Sequence, residues 1–513
     1  MLFILSALTL SAAIVFGGGT RSGFMGDVAV QLFAAMLLAG ALVSLTLTAL
    51  AQRDSGEIDG AGRTPRPPAT GNLMAALVPL GLVALLAMVQ LGPWRTSQFE
   101  PLIASGALNT WRLVTLTPHA TASALVSLVA PIAIFAGVAQ LGPRDRGRLA
   151  WLVIALGAVS VVLGLLQVAQ GPQSALRPYE YTNTSEAVGL FANRNHFAAL
   201  MYCTLVLASA VVIGRLAQSG AVALRFNASL LLAAGFVLIV SVVAALAVAR
   251  SRAGLALAMA SLVGIAVLAL RVPRGPTGSH VSLRNLVQFA IVFAVFFALQ
   301  FGLARIMSRF EADPMQDLRW ELSEATLDAA WAALPLGTGA GSFVPVYAAI
   351  ERPSVVHATY SNRAHNDFAE WLLEAGLVGG SMILLAFIWF AWRTWSVWRS
   401  SEATPHGYLQ RAATLVVALL LTHSLVDYPL RTSAMMAVFA FAGALLVRPP
   451  SSGADHGADH EVPRRHRDDR MGSGLPGGKS GSPASAFRPR RPWGSDVQWP
   501  EAWRPGRPTK PSQ

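Results

Sequence analysis

The charges of this chain are confined to short breaks between long apolar runs, and that leaves few folds open. A helix of about 17–25 apolar residues matches the hydrocarbon thickness of a bilayer. Only helices or closed barrels satisfy every backbone polar group at that depth. Such runs fall near 2–18, 28–51, 73–91, 121–141, 149–168, 196–214, 228–249, 254–270, 286–306, 376–393, 412–428 and 432–448. They predict an all-α, polytopic helical membrane protein with about twelve transmembrane helices. The chain is 54% hydrophobic and 13% charged over 513 residues, which excludes a string of soluble domains. The first run, MLFILSALTLSAAIVFGGG, has no basic n-region and reads as a span, not a cleaved signal peptide. Cys203 is the single cysteine and sits in an apolar run, so neither a disulfide framework nor a thiolate metal site is expected.

The net charge of +12 sets topology and does not call for nucleic acid. One series of breaks carries Arg53, Arg63 and Arg66, then Arg144, Arg146 and Arg148, then Arg215 with Arg225. Arg271, Arg274 and Arg284 continue it, followed by Arg393, Arg399 and Arg411. The positive-inside rule places these and both termini in the cytoplasm. The other side receives the longer loops 92–120, 169–195 and 307–375. The expected layout is a transmembrane domain over 1–448, with a large helical periplasmic loop at 307–375. A disordered, basic cytoplasmic tail follows over 449–513, rich in Pro, Gly, Ser and Arg. Its His456 and His460 belong to a solvated charge run more simply than to a metal site.

Within the long loop, MQDLRWELSEATLDAAWAALPLG spaces Leu318, Leu322, Ala325 and Ala329 as a helix that stops at Pro335 and Gly337. GTGAGSF follows without the Gly-Lys-Ser/Thr of a nucleotide loop and reads as a tight backbone turn. TYSNRAHNDFAEWLLEAGLVGG then runs from Thr359 to Gly380. Helical spacing puts Asp367, Glu370 and Glu374 on one stripe, expected to face water. His365, Phe368, Leu372 and Ala375 fall near the opposite, apolar side. An imidazole held there suits proton transfer; the alternative is that His365 caps the helix or satisfies a buried contact.

Arg250-Ser251-Arg252 interrupts an apolar stretch from Ala228 to Leu270, about 64 Å if helical, which is long enough for a tight hairpin of two spans. Positive charge on that side runs against the usual sorting. The two arginines either snorkel to headgroups or bind a phosphorylated ligand. FANRNHF brings Asn193, Arg194, Asn195 and His196 to the start of the sixth span, and LTHSLVDYPLR brings His423, Asp427 and Arg431 to the end of the eleventh. Each can be an interfacial anchor or an interhelical hydrogen bond. HExxH, GxSxG and a divalent-ion cluster of carboxylates are absent from the sequence, so neither metal nor cofactor is expected.

The series GLFANRNHFAAL, SRAG, DLRW, PLGTGAGSF, AHNDFAEWLLEAGLVG and HSLVDYPL, in this order, resembles the O-antigen ligase and polymerase superfamily of bacterial envelope glycan transferases. The resemblance covers roughly residues 150–445. It implies a membrane glycosyltransferase of the inner membrane, with its site facing the periplasm. Such an enzyme takes a glycan from undecaprenyl diphosphate and passes it to an acceptor hydroxyl without a metal. The acceptor is a growing glycan for a polysaccharide polymerase, lipid A-core for a lipopolysaccharide ligase, or a protein side chain for a protein O-glycosylation ligase. By the same resemblance Arg252 and Arg319 hold the diphosphate and His365 is the general base. Arg250 and Arg194, adjacent to matched motifs, extend the binding set. The reading from another class is a multi-pass transporter or lipid flippase.

Overall fold

The computed structural model describes residues 1–20, 25–58, 70–94, 112–218, 225–271, 314–351 and 361–450. All of them belong to the first of two compact units, Met1–Ser452. The expected span at 286–306 and the tail beyond 450 lie outside the described residues.

The regular elements among the described residues are helices and one two-residue antiparallel pair, β1 (Pro93–Trp94) with β2 (Arg112–Leu113). In order, the helices are α1 (Leu2–Phe16), α2 (Met25–Ile58), α3 (Thr70–Leu91), α4 (Pro118–Ser127), α5 (Val129–Ala139) and α6 (Pro143–Gln170). Then come α7 (Arg194–Gln218), α8 (Arg225–Ala249), α9 (Arg252–Ala269), α10 (Pro314–Ala332), α11 (Phe343–Ile350), α12 (Asp367–Arg399), α13 (Pro405–His423) and α14 (Ser433–Leu446).

Among the described residues, six helices are long and apolar enough to cross a membrane. They are Met25–Leu50, Pro118–Ala139, Pro143–Gln170, Arg194–Arg215, Arg252–Ala269 and Asp367–Arg399. The expected count of twelve is therefore not reached. The apolar stretches Leu2–Phe16 and Ser433–Leu446 form shorter helices, while Leu77–Leu91 and Ala234–Ala249 are parts of α3 and α8. An apolar run need not be one full-length helix: α1, at 15 residues, is about 22 Å long against a hydrocarbon core of about 30 Å.

The Arg194–Arg215 window of α7 is 83% buried, whereas Met25–Leu50 and Asp367–Arg399 are 28% buried. Thus α7 is central, and α2 and α12 lie at the rim. Close packing around α7 uses small residues, as expected where apolar surface has no water to escape from. A Cβ on Gly254 would come within 2.3 Å of Ala198, and one on Gly157 within 2.1 Å of Thr204. Leu384, Leu385, Ile388, Trp392 and Trp395 of α12 are exposed, as a lipid-facing surface requires.

Arg146, Arg393 and Arg411, from three of the basic breaks, close helix C-termini at one end of the bundle. Arg146 is fully buried and donates to the carbonyls of Leu141 (2.9 Å), Val447 (2.6 Å) and Ala139 (2.7 Å). Arg393 donates to Leu446 O at 2.7 Å, and Arg411 to Glu402 O (2.9 Å) and Ser400 O (2.7 Å). These guanidiniums satisfy carbonyls that a helix end leaves without partners, and their charge opposes the negative pole of the helix dipole.

At the other end lie α10, α11 and the first turns of α12. There α12 breaks at Gly376, whose φ of 55° and ψ of −144° only glycine adopts readily. The GTGAGSF turn serves this break. Thr338 N donates to Leu373 O and Gly339 N to Glu374 O, both at 2.9 Å, while Leu377 N donates to Pro335 O at 2.8 Å. Gln90 Nε2 adds a 2.7 Å bond to Glu374 O. The turn's N–H groups thus cap a helix and do not form a phosphate cradle. Contact is tight: a Cβ on Gly376 would lie 2.4 Å from Pro335 O. Gly376→Ala is expected to destabilise the protein by about 2 kcal/mol or more, read as a lower thermal midpoint in detergent.

Candidate active site

The first segment of α12 has the opposite orientation to the one expected. Asp367, Glu370 and Glu374 are buried, not exposed to water. Phe368 and Leu372 instead look outward, and with Gly380, Ile383, Phe387 and Leu425 they line an apolar groove of about 380 Å³. The physical reason is a buried counter-charge that helical periodicity alone does not reveal. Arg431 lies in a 3₁₀ turn, Pro429–Arg431, and reaches all three carboxylates. Its distances are 3.6 Å to Asp367, 3.5 Å to Glu370 and 2.8 Å to Glu374. Arg363 adds a 2.8 Å bond to Glu370. Burial works against the Arg431 charge, but Glu370, Glu374 and Asp367 outweigh it and hold the guanidinium protonated well above its ordinary value.

This network fixes the residue that precedes the helix. Asn366 is the N-cap, its side chain accepting from Phe368 N and Ala369 N at 3.1 Å each. Ala364 N donates to Glu370 at 2.9 Å, and Asp367 N donates to Ser424 O at 2.9 Å. Between these anchors His365 takes a left-handed backbone, φ 52°, at a cost of order 1 kcal/mol for a non-glycine residue. It is therefore not the helix cap. Its side chain is 16% exposed, and its Nδ1 lies 3.2 Å from Asp427 Oδ1.

Asp427 is fully buried and gathers groups from distant segments. Tyr428 N donates to Oδ1 at 2.9 Å, Asn195 Nδ2 donates to Oδ2, and Arg319 Nη1 stands 4.0 Å from Oδ2. Burial opposes the charge on Asp427. The His365 hydrogen bond, with the charges of His365, Arg319 and His196, overcomes that and holds the carboxyl well below the usual range. The Tyr428 ring packs edge-to-face on His365, with centroids 4.8 Å apart.

Of the expected site residues, His365 and Arg319 meet at Asp427. Arg252 opens α9 half-buried and Arg250 is exposed with φ 53°; their hairpin packs on α7 through Gly254 and Ala198, at the same end of the bundle. The arginine beside Asp427 is nevertheless Arg319. Arg194 pairs with Glu186 at 2.9 Å. In the sequence Asp427 reads only as an anchor or an interhelical bond. Its signal was an acid at the end of an apolar run, within HSLVDYPL.

A chemical centre of this kind can hold a neutral imidazole in one tautomer. With Nδ1–H given to Asp427, Nε2 is left as a base. Residues 203–384 match the family described as O-antigen ligase, a stretch that contains Arg252, Arg319 and His365 but not Asp427. No curated protein matches the chain. Residues 203–384 thus carry an O-antigen ligase domain, and six helices among the described residues are long and apolar enough to cross a membrane.

Proposed function

We propose that the chain is a membrane glycosyltransferase that moves a glycan from an undecaprenyl diphosphate carrier to an acceptor hydroxyl, at the periplasmic face of the inner membrane. The observation that carries this reading is the buried Asp427, which brings His365 and Arg319 together at the end of the bundle remote from the arginine-closed helix ends. The O-antigen ligase match supports it further.

In this reading His365 takes the acceptor proton at Nε2 as the hydroxyl oxygen attacks the anomeric carbon. The bond from that carbon to the diphosphate breaks, and undecaprenyl diphosphate leaves with the electron pair. Arg319 and Arg252, with Arg250 and Arg194 as outer members, stabilise the charge that grows on the leaving oxygen, a role that needs no metal. One displacement inverts the anomeric configuration. The apolar groove beside Phe368 and Leu425 suits the hydrocarbon chain of a lipid-linked substrate.

Expression in a strain lacking its own ligase and polymerase tests this. A full-length ladder on lipid A identifies a ligase, and lengthened carrier-linked chains identify a polymerase. Glycan on protein identifies a protein O-glycosylation ligase, and no new glycan overturns the reading. Arg319→Ala is expected to lower kcat/KM on the order of 10²-fold in the purified protein. An unchanged rate would remove Arg319 from the site.

A further inference from the structure

His196 is a buried polar residue that the reaction above does not use. It is 0% exposed, and neither ring nitrogen has a hydrogen-bond partner. A phenyl ring or leucine would fill such a place without leaving polar atoms unsatisfied. The neighbours of His196 show what its ring does. Its ring meets Tyr428 edge-to-face, with centroids 4.9 Å apart and planes at 84°. Tyr428 also meets His365 in the same manner, at 4.8 Å and 72°. Three rings from three segments are thus linked through Tyr428: His196 on α7, Tyr428 after α13 and His365 before α12.

The residues beside His196 converge on the same pair. Asn193 Nδ2 donates to the Tyr428 hydroxyl at 3.4 Å, and Asn195 Nδ2 donates to Asp427. Asn195 N in turn donates to Asn193 Oδ1 at 2.8 Å, which locks this turn. The Asn193–His196 segment is thus a platform under the two residues that touch His365. His365 needs such support, because its left-handed backbone does not hold itself.

We propose that His196 is a positioning residue for His365, acting through the Tyr428 ring. The proposal rests on His365 being the proton acceptor. Edge-to-face ring pairs prefer this geometry, which a planar ring at position 196 supplies and a leucine or alanine does not. These ring contacts hold the His365 ring in the plane that gives Nδ1 to Asp427 and leaves Nε2 for the acceptor.

The test uses the full chain in nanodiscs, with two readouts. One is the transfer rate from undecaprenyl-diphosphate-linked glycan. The other is the ring ¹⁵N signal of His365 in histidine-labelled protein, assigned by its loss in His365→Asn. His196→Ala and His196→Leu are expected to lower kcat about tenfold with KM almost unchanged, and to shift the His365 ring signals. His196→Phe recovers most of that rate. Adding His196→Ala to Tyr428→Leu costs nothing more than Tyr428→Leu alone. A wild-type rate in His196→Ala, additive losses in the double variant, or a Phe variant as slow as alanine with unmoved His365 signals each overturns the proposal. The ring signals report positioning without any transfer. A wild-type protein that transfers no glycan therefore defeats the proposed function and leaves this test intact.

Discussion

His365→Ala is expected to lower kcat on the order of 10³-fold, within the range that a positioned general base supplies. Asp427→Asn is expected to approach that loss although its shape is kept. The carboxylate accepts from His365 Nδ1 at 3.2 Å, and an amide can turn its NH₂ toward the ring and reverse the tautomer. Two groups acting as one unit lose their effect once, so the double variant falls no further than His365→Ala. A near-normal kcat in Asp427→Asn beside a dead His365→Ala would show that the acid does not orient the base. The same acid predicts a pH effect on stability. Its folded value lies below its unfolded value of about 4, so its contribution is complete above that pH. It is lost as pH falls through the folded value. The acid limb of a stability profile should therefore be shallower in Asp427→Asn than in the parent protein.

Arg431→Met is expected to cost about 3–5 kcal/mol, enough to unfold much of the protein at physiological temperature. The substitution keeps bulk but strands Asp367, Glu370 and Glu374 without the cation that they share, while Arg363 continues to serve only Glu370. Thermal unfolding in detergent measures the loss. Because the penalty arises from stranded charge, Arg431→Met combined with Glu370→Gln and Glu374→Gln should recover a large part of it. A triple variant as unstable as Arg431→Met would mean that Arg431 acts through packing on Trp371, whose ring centroid lies 5.6 Å from the guanidinium.

Much of this was legible in the sequence. The helical class follows from apolar run lengths, and the turn at Gly337 from its glycines. His365 and Arg319 were drawn from the AHND and DLRW segments, and they share Asp427. The Asp367 stripe faces inward, against its sequence expectation, for a definite reason. Periodicity says that three acids share a face, yet not which medium that face meets. Their partner Arg431 stands 57 residues beyond Glu374, and no local pattern links the two. Six of the expected twelve spans are helices long and apolar enough to cross a membrane among the described residues, and the run at 286–306 lies outside them. The pairing of Asn195 with Asp427 spans 232 residues, and a single chain offers nothing that would announce it.

The break at Gly376 has a reach beyond its own turn. Its carbonyls are held by Gln90 and by Thr338 and Gly339, so the start of α12 is tethered to two remote parts of the chain. The nine-residue segment from Asp367 to Ala375 behaves as a short rod pinned at its far end by those donors and at its near end by Ser424. A substitution at Gln90 would loosen one pin and swing the imidazole at the opposite tip, and its kinetics would imitate a lesion in the chemistry itself.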